Sequence, residues 1–343
     1  MASALFSSIV TIMKAWIINK LEGLSALQLT DFPDPRPAAG EVILDVAYAA
    51  LNPADRYLAE GAYPSRPKFP HILGRDGAGT ITAIGPDVTN WKPGDRALIL
   101  RSDIGVSRAG TFAQHVTVPV DCLAEIPADW SMQQASGASL IYLTAHQALT
   151  MWGDLPPGIV LITGASGGVG VASLQLARAL GHRIICLSRS AAKQAKLMEM
   201  GAELCLDPTQ PTWPKKLKEH LGEKRVDLVI DNIGGPMFND ALETLGMNGK
   251  VSCVGRLAGP VPQFNTANLF FRRLRIGGVA ASTYTREEAH RTWERCVKLL
   301  EQTHQLPLID RVFPFDQLLE AFEYLAKGPM GKVLVAVNSP LEV

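Results

Sequence analysis

Thr163-Gly164-Ala165-Ser166-Gly167-Gly168-Val169-Gly170 is the most informative stretch of this 343-residue chain. It follows a short apolar run at residues 159–163 and opens a segment with helical apolar spacing at 168–180. A glycine-rich loop between a strand and a helix lets the backbone approach a pyrophosphate, and the helix N-terminus adds N–H groups and the positive end of its dipole. The pattern therefore predicts a dinucleotide-binding site. We expect the loop contacts to come from Ala165, Ser166, Gly167, Gly168 and Val169.

On the C-terminal side of this loop, strand-like and helix-like segments alternate. The strand-like runs lie at 183–187, 226–230 and 250–254, with helix-like segments at 191–200 and 237–245 and a long apolar helix expected before the loop at 134–152. Such alternation is typical of parallel strands joined by crossover helices. We predict an α/β fold in which residues 133–282 form a Rossmann doubly wound parallel sheet.

The first third of the chain has a different pattern. Short alternating runs, separated by turn clusters rich in Pro and Gly, predict strands at 13–18, 41–47, 79–84, 96–100 and 112–118. Near the C-terminus, two helical segments precede a last strand at 332–337. Because that strand needs a sheet to join, we expect residues 283–343 to return to the β-rich domain formed by 13–132.

Composition and charge narrow the function classes. The chain has 33 Lys and Arg against 33 Asp and Glu, so a zero net charge gives no global attraction to nucleic acid or acidic lipid. No apolar run reaches the roughly 18 to 20 residues of a membrane span. Five scattered cysteines without a C-x-x-C pair indicate reduced thiols in a cytoplasmic protein. Residues 1–12 contain no Lys or Arg, so we interpret them as an N-terminal extension and not as a secretory signal.

The end of the predicted strand at 183–187 indicates which dinucleotide is bound. An NAD site places Asp or Glu there, about 20 residues after the glycine loop, to accept a hydrogen bond from the ribose 2′-hydroxyl. This sequence instead has Ser188 and Arg189, with Lys193 a turn later, and no carboxylate in that window. A hydroxyl with two cations suits a 2′-phosphate, which predicts NADPH as the cofactor. In the alternative interpretation, Arg189 and Lys193 are ordinary solvated surface charges.

Two further strand ends predict cofactor contacts, because ligands of open α/β sheets bind outside the carboxyl ends of the strands. Asn232 follows the strand at 226–230 and is expected to meet the adenine ribose. Gly255 and Arg256 follow the strand at 250–254 and are expected to line the nicotinamide half.

The glycine pattern alone fits two enzyme families. The short-chain dehydrogenases need a Tyr-x-x-x-Lys pair for proton transfer, and none of the six tyrosines here has Lys four positions on. A β-rich domain followed by a nucleotide domain instead resembles the medium-chain dehydrogenase/reductases. Three segments resemble the quinone oxidoreductase branch of that superfamily: Asn52-Pro53-Ala54-Asp55-Arg56-Tyr57, Gly61-Ala62-Tyr63-Pro64 and Ile72-Leu73-Gly74-Arg75-Asp76-Gly77-Ala78-Gly79. This resemblance implies a GroES-like catalytic domain at 13–132 and 283–343.

The same resemblance indicates where a catalytic zinc would be held. Alcohol dehydrogenases of the superfamily use a Cys, a His and a further Cys or acidic residue. Here the segment of the first Cys reads Asn52-Pro53-Ala54-Asp55, and the family's Gly-His-Glu reads Gly74-Arg75-Asp76. A catalytic zinc needs three protein ligands and an open position. We therefore expect no metal ligands and a zinc-independent reaction.

A reaction without a Lewis acid requires an acceptor that is already electron-poor. A quinone and an α,β-unsaturated carbonyl both meet this condition, and hydride addition to either leaves an oxyanion that needs a hydrogen-bond donor. From the match to the family loop, we expect Tyr57 and Tyr63 to be donors. Asn52 is expected either to fix this loop together with Asp55 or to reach the substrate as a third catalytic residue. In the alternative, both rings wall an apolar pocket and water delivers the proton.

The resemblance implies three more cofactor contacts and an assembly. Thr144 and Phe271 lie in segments similar to those that approach the nicotinamide in the family, and Lys332 either approaches the cofactor or only edges its strand. In the family, the last strand of the nucleotide sheet pairs with its copy, which predicts a homodimer. Two other functions stay open, a 2-enoyl thioester reductase and a non-catalytic NADPH-binding protein.

Overall fold

The computed structural model describes residues 11–100, 103–153, 155–260 and 264–340. Most of the expected extension at 1–12, up to residue 10, lies outside the described residues. The chain divides into two compact units. Among the described residues, those up to Gly137 form the first unit with Val312–Leu325 and those from Val333 onward, and those between Ala138 and Arg311 form the second unit with Ala326–Lys332.

The first unit is rich in β-structure, in agreement with its alternating apolar runs. In chain order, it begins with strands β1 (Ile12–Ile18), β2 (Gln28–Pro33) and β3 (Glu41–Ala50), helix α1 (Pro53–Ala59), strands β4 (His71–Ile72), β5 (Asp76–Ile84), β6 (Arg96–Ile99), β7 (His115–Pro119) and β8 (Leu123–Glu125), and helix α2 (Met132–Ser136).

The second unit alternates strands and helices around a parallel sheet. Its elements are α3 (Ser139–Thr150), β9 (Ile159–Ile162), α4 (Gly168–Ala179), β10 (Arg183–Leu187), α5 (Ala191–Glu199), β11 (Leu204–Leu206), α6 (Trp213–Leu221), β12 (Val226–Asp231), α7 (Pro236–Glu243), β13 (Leu245–Cys253), α8 (Ala267–Phe271), β14 (Arg275–Gly278) and α9 (Arg286–Gln302). The strand order is β11-β10-β9-β12-β13-β14, and every pairing is parallel. This is the predicted doubly wound Rossmann sheet, and its order reverses between β9 and β12.

The C-terminal elements are β15 (Ile309–Pro314), α10 (Leu318–Ala326) and β16 (Lys332–Ala336). Strand β16 pairs antiparallel with β3 and completes a seven-stranded sheet, in which β15, β16, β3, β5, β6 and β8 are successive neighbours and β7 also pairs with β3. The last strand of the chain therefore joins the sheet of the first unit.

Three of the differences from the sequence-based expectations lie in the second unit or at its borders. The single helix predicted at 134–152 is two helices, because α2 ends at Ser136 with Gly137 as its C-cap and α3 begins at Ser139. Helix α9 packs on α3 and α4 and groups with the second unit, whereas the prediction placed the return to the first domain at residue 283. The three-residue strand β11 and the helix α6 that follows it were not predicted.

Burial explains why the predicted β-runs in the second unit form central strands. All four residues of β9 are buried, as are the last four of β10, because helices cover both faces of a parallel sheet. Each unit has its own apolar core. In the described part of the chain, no helix is both long and apolar enough to cross a lipid bilayer.

Candidate active site

The glycine loop of the second unit links β9 to α4 in a tight turn. Gly164 has a φ of +57°, in the left-handed region that favours glycine. A Cβ on Gly170 would lie 2.5 Å from the Gly164 carbonyl oxygen and 2.6 Å from that of Ala165. Only glycine lets the first turn of α4 pack this closely on the loop. The loop lies at the carboxyl end of β9, next to the point where the strand order reverses, which is where open α/β sheets bind their ligands.

A buried polar network joins this loop to the end of β12. The Thr163 hydroxyl donates to Asp231 Oδ1 at 2.7 Å and accepts from the Asn232 N–H at 3.0 Å. The Asn232 side-chain amide donates to the Thr163 carbonyl at 2.8 Å. Asn232 Oδ1 is buried and has no hydrogen-bond partner among the described residues. Since buried polar atoms are nearly always paired, this acceptor fits a hydroxyl of a bound dinucleotide.

Gly255 extends the network to the end of β13. Its N–H donates to the Asp231 carbonyl at 3.2 Å, and a Cβ on Gly255 would lie 2.4 Å from the Asn232 carbonyl oxygen. The structure thus brings two predicted cofactor contacts, Asn232 and Gly255, side by side at the carboxyl end of the sheet. The next residue, Arg256, is exposed.

Lys332 reaches the glycine loop from the far end of the chain. The Gly331 N–H donates to the Ser166 carbonyl at 2.9 Å, and Gly331 also forms an isolated parallel bridge with Gly167. Lys332 is only 3% exposed, and a Cβ on Gly168 would lie 3.0 Å from its Cδ. A cation beside a helix N-terminus adds to the positive potential that attracts a phosphate.

The residues predicted to bind a 2′-phosphate follow β10. Arg189 is exposed, and Ser188 is buried, with its N–H donating to the Leu206 carbonyl at 3.0 Å. The Lys193 ammonium donates to the Gly328 carbonyl. One of the three hydrogen-bond donors of the Lys193 ammonium is therefore used within the second unit, so Arg189 is the cation more available to bind a phosphate.

Asp207 is a neighbour of this group that the sequence reasoning missed. Strands β10 and β11 are parallel and in register, so Ser188 and Asp207 follow at equivalent positions. The Asp207 carboxylate accepts from the Thr209 N–H at 2.9 Å and from its hydroxyl at 2.8 Å. These bonds lower the pKa of Asp207, and the nearby charge of Arg189 contributes to a smaller extent. Only the pairing of β10 with β11 reveals this carboxylate, because it lies outside the segment that follows β10.

The two remaining predicted cofactor contacts have other surroundings. Thr144 on α3 is half-buried, and its hydroxyl donates to the Leu140 carbonyl of the preceding turn at 2.7 Å. Phe271 at the end of α8 is 73% exposed, with its ring centroid 4.4 Å from that of Phe270. The roles of Thr144 and Phe271 stay predictions that rest on the family resemblance.

In the first unit, a buried charged cluster surrounds the start of α1. Asn52 donates through its side-chain amide to Asp76 Oδ2 at 3.0 Å, and through its backbone N–H to Asp55 Oδ2 at 3.0 Å. Arg75 Nε donates to Asp55 Oδ1 at 3.0 Å. Both carboxylates are fully buried and the Arg75 side chain is 9% exposed. The Asn52 amide is therefore engaged in holding this cluster together.

Each member of the Arg75–Asp55 ion pair shifts the pKa of the other in the direction that favours its charged form. Burial raises the pKa of Asp55, and the Arg75 guanidinium offsets only part of this effect. Burial would lower the pKa of Arg75, but the Asp55 carboxylate and the Tyr63 oxygen raise it by more. The cationic form of Arg75 is thus the form that this cluster favours.

Both predicted catalytic tyrosines are half-buried in the first unit. Tyr57 lies on α1, two residues after Asp55. The Arg75 guanidinium carbon lies 4.8 Å from the centroid of the Tyr63 ring, which is within the range of a cation–π contact. The structure therefore brings the Tyr63 ring against the buried cluster. It places Tyr57 on α1, the helix whose first turn contains Asp55 of the cluster.

The described part of the chain contains no group of three or more His, Cys, Asp or Glu side chains arranged to hold a metal ion. The position of the superfamily's zinc-binding His carries Arg75, which is ion-paired with Asp55 from the segment of the first Cys.

Two family models match the chain, one in each unit. The model described as "Alcohol dehydrogenase GroES-like domain" matches residues 38–128, and the model described as "Zinc-binding dehydrogenase" matches residues 168–302. The order of these domains is the one predicted from the sequence.

Individual relatives match over nearly the whole chain. A quinone oxidoreductase from Sus scrofa is 28% identical over 328 residues, which cover 94% of this chain and 98% of the relative. The crystal structure of Escherichia coli quinone oxidoreductase complexed with NADPH superimposes with a TM-score of 0.85 at 26% identity, covering 94% of this chain and 99% of the other. A crystal structure of an NAD-dependent alcohol dehydrogenase has a TM-score of 0.88 at 28% identity, covering 95% and 100%.

The two domain matches, the relatives that span both units and the parallel sheet with its glycine loop lead to one conclusion. This chain is a member of the medium-chain dehydrogenase/reductase superfamily and belongs to its quinone oxidoreductase branch.

Proposed function

We propose that this protein is an NADPH-dependent oxidoreductase that transfers a hydride to a quinone or to an α,β-unsaturated carbonyl compound without zinc. One observation carries the proposal. The glycine loop, the unpaired Asn232 oxygen and the buried Lys332 converge at the carboxyl end of the parallel sheet, where they fit a dinucleotide. Ala165, Ser166, Gly167, Gly168 and Val169 would hold its pyrophosphate.

Arg189 supports the choice of NADPH over NADH. It is exposed at the end of β10, next to Ser188, where a guanidinium and a hydroxyl suit a 2′-phosphate. Asp207 directly follows β11, at the position equivalent to Ser188, and opposes this preference by its negative charge. We expect Arg189 to outweigh Asp207, because the Asp207 carboxylate already accepts hydrogen bonds from Thr209.

When bound, reduced nicotinamide supplies the hydride. The residues of the chain bind and orient the acceptor and protonate its oxyanion. The acceptor must be activated by its own conjugation. Tyr57 and Tyr63 supply hydroxyl groups that donate to the oxyanion of the reduced acceptor, and a phenol in this role also delivers a proton. Asn52 keeps the loop before α1 in place through Asp55 and Asp76.

Independence from zinc is supported by the side chains that fill the superfamily's ligand positions. Arg75 is a cation in place of a neutral imidazole, and its partner Asp55 is fully buried in the ion pair. A divalent cation bound beside a buried guanidinium would be repelled by it.

We also propose that the protein is a cytoplasmic homodimer. Strand β14 is an edge strand, paired only with β13 in the described chain, and such edges are templates for pairing with a second copy. Five free cysteines are compatible with a reducing compartment.

The experiment that tests the proposed function is a panel of acceptors assayed by NADPH and NADH oxidation. Quinones, enals, enones and enoyl thioesters are compared, and the metal content of the purified protein is measured alongside. We expect oxidation of NADPH with quinones or enones and substoichiometric zinc. Selective reduction of enoyl thioesters would favour the thioester reductase, and inactivity with every acceptor would favour a non-catalytic NADPH-binding protein.

A further inference from the structure

Arg75 links two segments of the first unit that carry the candidate hydroxyl donors. Its Nε donates to Asp55 Oδ1 at 3.0 Å and its Nη2 donates to the Ala54 carbonyl at 3.2 Å, so it binds the first turn of α1, the helix of Tyr57. On its other side, the guanidinium covers the Tyr63 ring at 4.8 Å. One buried cation therefore contacts both the Tyr57 helix and the Tyr63 side chain.

The backbone around Arg75 is held in place. Gly74 has a φ of +96°, and a Cβ on it would lie 2.5 Å from Thr111 Oγ1 and 2.9 Å from the Phe112 backbone nitrogen. The Thr111 hydroxyl donates to the Asp76 carbonyl at 2.9 Å. Because the backbone is tightly packed at the residue before Arg75 and hydrogen-bonded at the residue after it, the position from which the Arg75 side chain extends is fixed. The guanidinium can therefore orient its partners.

The chemistry of Arg75 suits this task better than that of a lysine. A guanidinium is planar, donates from several nitrogens in fixed directions and stacks on aromatic rings, whereas an ammonium is a point charge on a flexible stem. Here the fork donates to Asp55 and Ala54, while the guanidinium carbon lies over the Tyr63 ring. Both properties of the guanidinium are therefore used at once.

We propose that Arg75 is a positioning residue for the reduction of the acceptor: it holds the Tyr63 ring and the Tyr57 helix in the arrangement that the reaction needs. This inference rests on the proposed function, because it assumes that these tyrosines serve the acceptor. Arg75 does not itself act on the acceptor. Arg75 occupies the position of the zinc-binding His of the superfamily, and there it binds the first turn of α1.

The test removes the charge of Arg75 without leaving Asp55 as an unpaired buried carboxylate, because Arg75→Gln alone risks misfolding. The double variant Arg75→Gln/Asp55→Asn keeps an amide pair in place of the ion pair. Arg75→Lys keeps the charge and loses the fork. Arg108→Gln, which breaks a partly exposed arginine–glutamate pair in the same unit, is the matched control.

We expect the double variant to fold, to bind NADPH like the wild type and to lose at least about tenfold in kcat/KM for the acceptor, mainly in kcat. Arg75→Lys should recover only part of the loss, and Arg108→Gln should match the wild type. The decisive measurement repeats the double change in a Tyr57→Phe/Tyr63→Leu background. If Arg75 acts through these two tyrosines, the second loss should be much smaller than the first, since effects of residues that act as a unit are not additive.

Two results would overturn the inference. The first is a double variant with wild-type kcat/KM, and the second is an equal loss in the Tyr57→Phe/Tyr63→Leu background, which is the behaviour of a merely structural ion pair. Failure of the proposed function looks different: in that case the wild type itself oxidises NADPH with no acceptor of the panel.

Discussion

Gly170 and Gly164 lie so close that a Cβ on Gly170 would be 2.5 Å from the Gly164 carbonyl oxygen. This contact seats the first turn of α4 on the glycine loop and aims its N–H groups at the space beyond the loop. The proposed cofactor binding depends on this approach.

Gly170→Ala should weaken NADPH binding by about tenfold or more, because overpacking against backbone costs about 1–3 kcal/mol and displaces the loop. Fluorescence titration with NADPH measures the effect. Gly278→Ala is the control, since no atom lies within 4 Å of the added Cβ. Equal affinities of the two variants for NADPH would contradict the assignment of this loop to the cofactor.

Arg189→Ala should weaken NADPH binding by roughly 10- to 100-fold and leave NADH binding unchanged, because a hydrogen bond to a charged group contributes about 1.5–3 kcal/mol. Dissociation constants of both cofactors are compared by titration. Lys196→Ala, an exposed lysine on α5, serves as the matched loss of one positive charge. Unchanged NADPH affinity would identify Arg189 as solvated surface charge.

Tyr57→Phe should lower turnover with a quinone or enone by more than about tenfold, because an oriented acid typically contributes about 10²–10⁴ to the rate. The same measurement on Tyr63→Phe shows which hydroxyl carries the effect, since each change keeps the ring. Wild-type turnover in both variants would leave the rings as pocket walls, with water as the proton source.

His146 should make the second unit less stable in acid. Burial, assisted by Arg295, lowers the pKa of His146 from 6.5 to about 4. Between these values the unfolded chain binds a proton that the folded chain does not, so stability falls as pH is lowered through this window, by at most about 1.4 kcal/mol per pH unit. Urea unfolding at pH 7 and pH 4.5 measures the difference.

His146→Gln should reduce this loss between pH 7 and pH 4.5, because glutamine does not titrate. The exposed His304, replaced by Gln, is the matched control in the same unit. An unaltered pH dependence in His146→Gln would show that other groups govern acid unfolding.

The edge strand β14 should mediate a dimer. Wild-type protein at micromolar concentration is expected to sediment with twice the chain mass, and Ile276→Lys should shift it to the monomer, because a charge on an exposed edge opposes strand pairing. Met198→Lys, at an exposed apolar residue on α5, is the control. A monomeric wild type would exclude this assembly.

Much of the fold follows from local patterns that a linear chain displays. The glycine loop can be recognised in the sequence because its strand, turn and helix are consecutive. The buried strands β9, β10 and β12 can be recognised because they are short apolar runs between turns. The helix boundary at Gly137 was missed because apolar residues continue through it, and β11 was missed because three residues carry too little periodicity.

The candidate site was predictable only where its residues adjoin these patterns. Ser188, Asn232 and Gly255 each follow a recognisable strand, so their proximity to the sheet's carboxyl end is a consequence of parallel pairing. Asp207 follows the unpredicted strand β11, and its relation to Ser188 exists only through the register of β10 with β11.

The chain order of residues therefore determined the two kinds of domain and the glycine loop, and it predicted the replacement of the superfamily's zinc ligands, since each of these features depends on residues that are neighbours in the sequence. Tertiary structure decided that Lys332 lies at Gly168 and that Arg75 joins Asp55 to Tyr63. Those contacts connect residues far apart in sequence or in separate loops, and they arise from the packing of strands and helices, which no local periodicity encodes.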